Sequence, residues 1–274
     1  MSDLWRVAAG TEVMPMSLTE GGTAPLWTPA VSLGEHERLR VGVEAINSPS
    51  EIGVSGGLIA VSTHVAHVGV VSLGYGRLEV ADITLTETSP EAIGTIAVYN
   101  QAVSIGVSGN VAPGLVGGVA LRYLSGELGP TTRSQLGVDF GAQYATTHFR
   151  LGGATRFFDP TLRAAGDAAS YNLGAEYGSS PFDAWGAHAR VLLRYGLTTA
   201  PDENVEHLLT AGIAVGDLAL DAGASAENAS GDSVLRSRLA LAIGSGPFRI
   251  QIGRDGGVNG FGATYRFGLT GTFQ

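Results

Sequence analysis

Phe248-Arg249-Ile250-Gln251-Ile252-Gly253-Arg254 alternates apolar and polar residues, and the closing stretch keeps the same beat. There Phe261, Ala263, Tyr265, Phe267, Leu269, Gly271 and Phe273 fall on one face, with Gly262, Thr264, Arg266, Gly268, Thr270 and Thr272 on the other. A period of two marks a strand between two unlike environments, one greasy and one wet. Working back from the C-terminus, similar runs lie near 38–48, 52–62, 64–76, 93–109, 114–125, 134–145, 148–157, 169–178, 185–197, 206–215, 217–227, 233–243, 246–254 and 259–273. About fourteen such strands with turn residues between them predict a closed antiparallel transmembrane β-barrel, all-β in class. Residues 1–36 lack the alternation and contain Gly21-Gly22, Pro25 and Pro29. They read as a plug or capping segment with a short helix, set before a barrel over 37–274.

Composition agrees. Charged residues make up 15% of the 274 and glycine numbers 41, whereas a soluble domain carries about 25% charge. No stretch approaches the ~20 apolar residues a membrane helix needs. Mean hydropathy is nevertheless +0.19, as expected where lipid-facing residues are spread over strands. With no cysteine, disulfides and thiolate metal sites are excluded. All 16 basic residues are arginine. Met1-Ser2-Asp3-Leu4-Trp5-Arg6 has no signal-peptide pattern, so the barrel reading implies a removed signal and an added Met1. Thr146-Thr147 and Ser245-Gly246-Pro247 look like tight turns, while 78–92, 127–133, 158–168, 198–205 and 227–233 look like longer acidic loops. Short turns at one end and longer loops at the other fit an outer-membrane barrel.

Charge facing lipid at mid-depth costs about 2–4 kcal/mol for arginine, so alternation assigns the charges inward. The lumen-lining arginines are Arg38, Arg40, Arg122, Arg150, Arg156, Arg190, Arg194, Arg236, Arg238, Arg249 and Arg266. The acids on those faces are Glu44, Asp139, Glu176, Asp221 and Glu227, which leaves 11 − 5 = +6 inside. Two readings follow: arginines paired with carboxylates and carbonyls bracing a filled barrel, or a wet cationic passage preferring anions.

Other motifs carry less. Gly53-Val54-Ser55-Gly56-Gly57 matches G-x-S-x-G, but that elbow needs a strand-to-helix turn in an α/β sheet. Gly56 and Gly57 instead suggest a bulge or kink in the strand. His64 and His67 are three apart, so on a strand they point to opposite faces and do not share a metal. His148 and His188 fall on the polar face. No triad, carboxylate dyad or phosphate loop stands out, so neither catalysis, cofactor nor metal is expected. Net charge −9 without a basic tract argues against nucleic acid. Trp185, Tyr195, Phe149, Phe157, Tyr171 and Tyr177 lie near strand ends, where aromatic girdles meet the membrane interface.

Leu26-Trp27-Thr28-Pro29-Ala30-Val31-Ser32-Leu33, after Gly21-Gly22, resembles the G-A…W-N-P-A-x-L opening of FadL-type transporters and PorV/PorQ-type proteins, with Thr28 where the family has asparagine. Gly74-Tyr75-Gly76, Asp82-Ile83-Thr84, Tyr99-Asn100-Gln101-Ala102-Val103-Ser104-Ile105-Gly106 and Gly118-Val119-Ala120-Leu121-Arg122-Tyr123 are similar to the same families. The likeness spans about residues 15–145. It implies a fourteen-stranded barrel of the bacterial outer membrane whose N-terminal segment enters the lumen as a hatch. FadL-type members move long-chain fatty acids or aromatic hydrocarbons sideways into the membrane; PorV-type members serve type IX secretion. The chain is shorter than typical members of either group. The expectation is therefore a transport or secretion-accessory barrel, with Trp27, Pro29 and Leu33 in the plug. Its expected partners are membrane lipids and a hydrophobic small molecule or an envelope protein. The alternatives are a structural or partner-binding barrel within an envelope complex, and a membrane-embedded hydrolase.

Overall fold

Along Val98–Ala112, side chains alternate between Asn100, Ala102, Ser104 and Ser108, which are buried, and Val103, Ile105 and Val107, which are exposed. The apolar side chains face out and the small polar ones face in, the inverse of a soluble protein. That inversion recurs around the molecule and defines its outer surface as the lipid face. The computed structural model describes residues 2–10, 12–49, 53–80, 83–85, 94–156, 169–184, 186–199, 205–229, 232–257 and 262–274.

Among these residues the wall consists of β1 (Leu39–Asn47), β2 (Val54–Val65), β3 (Gly69–Val80), β4 (Val98–Ala112), β5 (Leu115–Leu128), β6 (Thr131–Ala145) and β7 (Phe149–Arg156), continuing with β8 (Ser170–Gly178), β9 (Ala187–Thr199), β10 (Val205–Val215), β11 (Leu218–Ala229), β12 (Asp232–Ser245), β13 (Phe248–Asp255) and β14 (Thr264–Phe273). Each pairs antiparallel with its chain neighbours, and β14 pairs with β1 from Leu39↔Phe273 to Asn47↔Tyr265, closing the ring. Closure leaves no unpaired edge, as lipid requires. The three-residue strand Phe182–Ala184 adds to the end of β9, and Thr84–Leu85 pairs with Gly94–Thr95 outside the wall.

An even strand count brings both ends of the wall to one rim. Connections 66–68, 113–114, 146–148, 216–217 and 246–247 lie at that turn end, and the strand ends Val80, Val98, Arg156 and Ser170, which flank the longest connections, lie opposite. His67 adopts the left-handed region at φ 64 in the first of these turns. The turn thus falls later than the 62–64 break expected from sequence, because Thr63 and His64 are still paired in β2, opposite Val71 and Val70. Outward aromatics gather at the two rims: Phe149, Tyr177, Phe248 and Phe273 at the turn end, Tyr171, Tyr195 and Tyr265 at the loop end. Two of these sets stack, Phe149 on Tyr177 at 5.1 Å and Phe248 on Phe273 at 6.1 Å. Trp185 and Phe157, also expected in the girdles, lie outside the described residues.

The lipid assignment has a measurable consequence. Ile105→Arg, at mid-strand on the outer face, should destabilise the detergent-folded barrel by about 2–4 kcal/mol in urea titration, whereas Val111→Arg near the rim should cost about 0–1 kcal/mol.

Candidate functional site: the filled barrel interior

Inward-facing glycines set the shape of the interior. A methyl group on Gly118 would strike the Pro29 carbonyl, and one on Gly141 the Pro29 ring. One on Gly152 or Gly174 would meet Ser17 and Leu18, and one on Gly196 would meet Pro15. Gly42 and Gly22 pack main chain on main chain, each leaving no room for a Cβ on the other. The wall is therefore cut back to backbone at these points of closest approach by residues 15–30.

This segment carries little structure of its own. Helix α1 (Ser2–Gly10) turns Trp5, Ala8 and Ala9 to one buried face, followed by single 3₁₀ turns at Met16–Leu18 and Ala24–Leu26. Buried main-chain groups need partners, and wall side chains supply them. Gln143 Nε2 donates to the Ser17 carbonyl at 2.8 Å, Arg150 to that of Leu18 at 3.1 Å and Arg238 to that of Glu12 at 3.0 Å. Arg40 donates to the Glu20 carbonyl at 3.0 Å, Ser104 to that of Pro25 at 3.3 Å and Ser108 to that of Val31 at 2.5 Å. The Gly22 N–H donates to Thr270 Oγ1 at 3.0 Å.

Charges fall into four groups, besides the Arg40–Glu37 pair at 2.6 Å toward the turn-end rim. Arg122 Nε bonds Asp139 at 2.6 Å with both side chains fully buried. Arg194 joins Glu176 at 2.6 Å and also Asp221, while Arg150 links Glu176 at 3.4 Å to Glu20 at 2.8 Å. Arg236 contacts Glu206, Glu227 and Asp255 at 3.1–3.3 Å, and Arg238 completes the group through Glu206. Arg266 holds Glu12 at 2.5 Å and Glu44, to which Thr23 donates at 2.6 Å. Burial pushes the Glu12 carboxyl above its ordinary pKa, against the pull of Arg266. Arg156 lies 4.9 Å and Arg266 5.5 Å from the Trp27 ring.

These contacts overturn the cationic ledger. Glu12, Glu20, Glu37, Glu206 and Asp255 join the five acids placed inside from sequence, and without the two exposed arginines Arg38 and Arg249 nine arginines face ten carboxylates, 9 − 10 = −1. Asp255 lies one residue past the expected strand end, and Glu206 shares the inward parity of Leu208 and Thr210. Glu12 and Glu20 come from the aperiodic segment, where no face could be assigned. Arg38 and Arg249 share the inward parity but are exposed at the turn-end rim, so they are not lumen-lining in the sense expected. Arg190 reaches the carbonyls of Ser179 and Thr147 at the same rim.

The apolar side of the interior is local. Ile46, Leu58, Leu78, Ala102 and Leu124, from the five adjacent strands β1 to β5, form one cluster with Trp5, Leu26 and Trp27. The two indoles meet edge to face at 6.2 Å. Trp27 and Pro29 are buried, and Leu33 packs on Ala24, Val31 and Val70. A cavity of about 10 Å³ between the segment and Gly196, Leu208 and Arg238 has room for roughly one water.

Remaining expectations resolve simply. Register runs unbroken through Gly56 and Gly57, and the ladder shift lies instead between Asn110 and Ala112, beside the Pro113-Gly114 turn. Ser55 sits in β2 opposite Asn47, so no nucleophile elbow forms. His188 pairs with Asp183 at 3.0 Å on the exposed rim, and His148 approaches the Gly178 carbonyl at 3.1 Å. No group of three or more potential metal ligands occurs among the described residues.

Neither a protein-family model nor a curated protein matches the chain. Solved structures do. The toluene transporter TodX of Pseudomonas putida aligns with a TM-score of 0.61 at 12% identity, covering 96% of both chains. The CymD monoaromatic hydrocarbon channel aligns at 0.58 and 12%, covering 98% of this chain and 97% of its own. The outer-membrane protein Omp33 of Acinetobacter baumannii aligns at 0.50 and 10%, covering 88% of this chain and 100% of its own. At such identities the likeness is one of fold: a closed antiparallel barrel of fourteen strands, resembling bacterial outer-membrane proteins.

Proposed function

We propose that this chain is an outer-membrane barrel that passes small hydrophobic molecules, with residues 1–36 as its plug and no catalytic chemistry. One observation carries the reading. The inner wall of β1 to β5 presents Ile46, Leu58, Leu78, Ala102 and Leu124 inside an otherwise charged lumen, and the Trp5 indole covers them. A barrel that passed only polar solutes would gain nothing from an apolar inner sector, whereas a flat apolar solute of indole size fits it. The likeness in fold to TodX, a toluene transporter, and CymD, a monoaromatic hydrocarbon channel, supports the same solute class. By the usual sidedness of such barrels, the turn end faces the periplasm.

The reading is tested with 4-bromotoluene, whose heavy atom quenches tryptophan emission on contact. Purified barrel should show saturable quenching, lost in Leu58→Glu with Leu124→Glu. Quenching that rises linearly with ligand partitioning and is identical in both proteins would sink the proposal.

The filled interior favours a second reading, a structural or partner-binding barrel in an envelope complex. Mild extraction followed by native mass measurement separates the two, since stoichiometric partner chains belong only to the second. Nothing in the comparisons supports a PorV-type role in type IX secretion.

A further inference from the structure

We propose that the barrel interior is a binding groove for an irregular, proline-bearing polypeptide, read chiefly through its carbonyl groups, and that residues 12–31 are its resident ligand. This stands whether or not the barrel passes hydrophobic solutes.

Three observations converge. First, the wall addresses the segment's main chain at seven positions, and at six of them a wall side chain donates to a carbonyl. Donors aimed at carbonyls suit a ligand poor in free N–H groups, and the segment carries Pro15, Pro25 and Pro29. Second, the wall is trimmed to glycine where that main chain passes, at Gly42, Gly118, Gly152 and Gly174. Contacts of this kind recognise a backbone path more than a particular side-chain set. Third, the tether between ligand and wall is exposed: Gly34, Glu35 and His36 lie in solvent at the turn end, where the Gly34 N–H donates to Glu37 at 2.9 Å. The segment is thus held by the groove along its length rather than by its covalent link.

The test uses the full chain with a protease site placed at 34–36, cleaved after folding. The severed N-terminal fragment should stay with the barrel through gel filtration in detergent. Ser104, Ser108 and Gln143 touch the segment only through carbonyls in the contacts above. Replacing all three with alanine should therefore speed fragment release at least ~10-fold, three hydrogen bonds being removed at once. Loss of the fragment on cleavage of the parent would overturn the proposal. So would equal release rates in parent and variant, because recognition would then lie in side chains such as Trp27. If the triple variant does not fold, Ser104→Ala with Ser108→Ala serves, with an expected acceleration of at least ~3-fold.

Discussion

Asp139→Ala is expected to destabilise the barrel by about 3–5 kcal/mol, among the largest single-residue effects in the molecule. Arg122 on β5 and Asp139 on β6 are fully buried and joined at 2.6 Å. Removing the carboxylate leaves a fully buried guanidinium without the counter-charge on its Nε. The pair itself contributes less than its breakage costs, because both ions were desolvated to make it. The double change Arg122→Met with Asp139→Leu should accordingly recover most of the loss. Urea unfolding in detergent, followed by tryptophan emission, reads all three proteins on one scale. Equal destabilisation of single and double variants would show that the position serves packing rather than charge. The rim behaves differently: Arg249 is exposed, so Arg249→Met should be nearly silent in the same assay.

The wall was legible because lipid and lumen impose a strict period of two. All fourteen expected strands coincide with wall strands, and the inward set Arg122, Asp139, Arg150, Glu176, Arg194, Asp221, Arg236, Arg238 and Arg266 follows from parity alone. Parity names a face but not a partner. Arg266 meets Glu12 across 254 positions of sequence, and no local pattern foretells that contact. Strand ends are equally opaque, since a one-residue error at 254 hid Asp255. The course of residues 12–31 left no periodic trace because isolated turns and wall side chains, not a ladder or a long helix, satisfy its main chain. One signal was present: Gly118, Gly141, Gly152, Gly174 and Gly196 all fall on inward positions of consecutive strands β5 to β9. Five neighbouring inner positions without a side chain imply that something lies against them.

Deleting residues 1–36 should convert a non-conducting barrel into an anion-preferring pore. Under the plug reading, residues 12–31 occupy the interior, and among the described residues the cavity between them and Gly196, Leu208 and Arg238 measures about 10 Å³, too small for a hydrated ion at that point. Removing the segment also changes the charge that a passing ion meets. Glu12 and Glu20 leave with it, so nine interior arginines then face eight carboxylates and the interior moves from −1 to 9 − 8 = +1. Arg266 and Arg150 lose one carboxylate each, while Glu44 and Glu176 remain. Planar-bilayer recordings should therefore show no steady conductance for the full chain, and open channels with a reversal potential toward chloride for the deletion. Adding Arg266→Gln to the deletion should weaken the anion preference, because it removes one of the arginines newly opened to water. A silent deletion that still folds, by heat-shifted mobility, would mean that the wall collapses inward to fill the space. A cation-selective one would mean that acids outside the described residues govern entry. Either result would remove residues 1–36 from the role of plug.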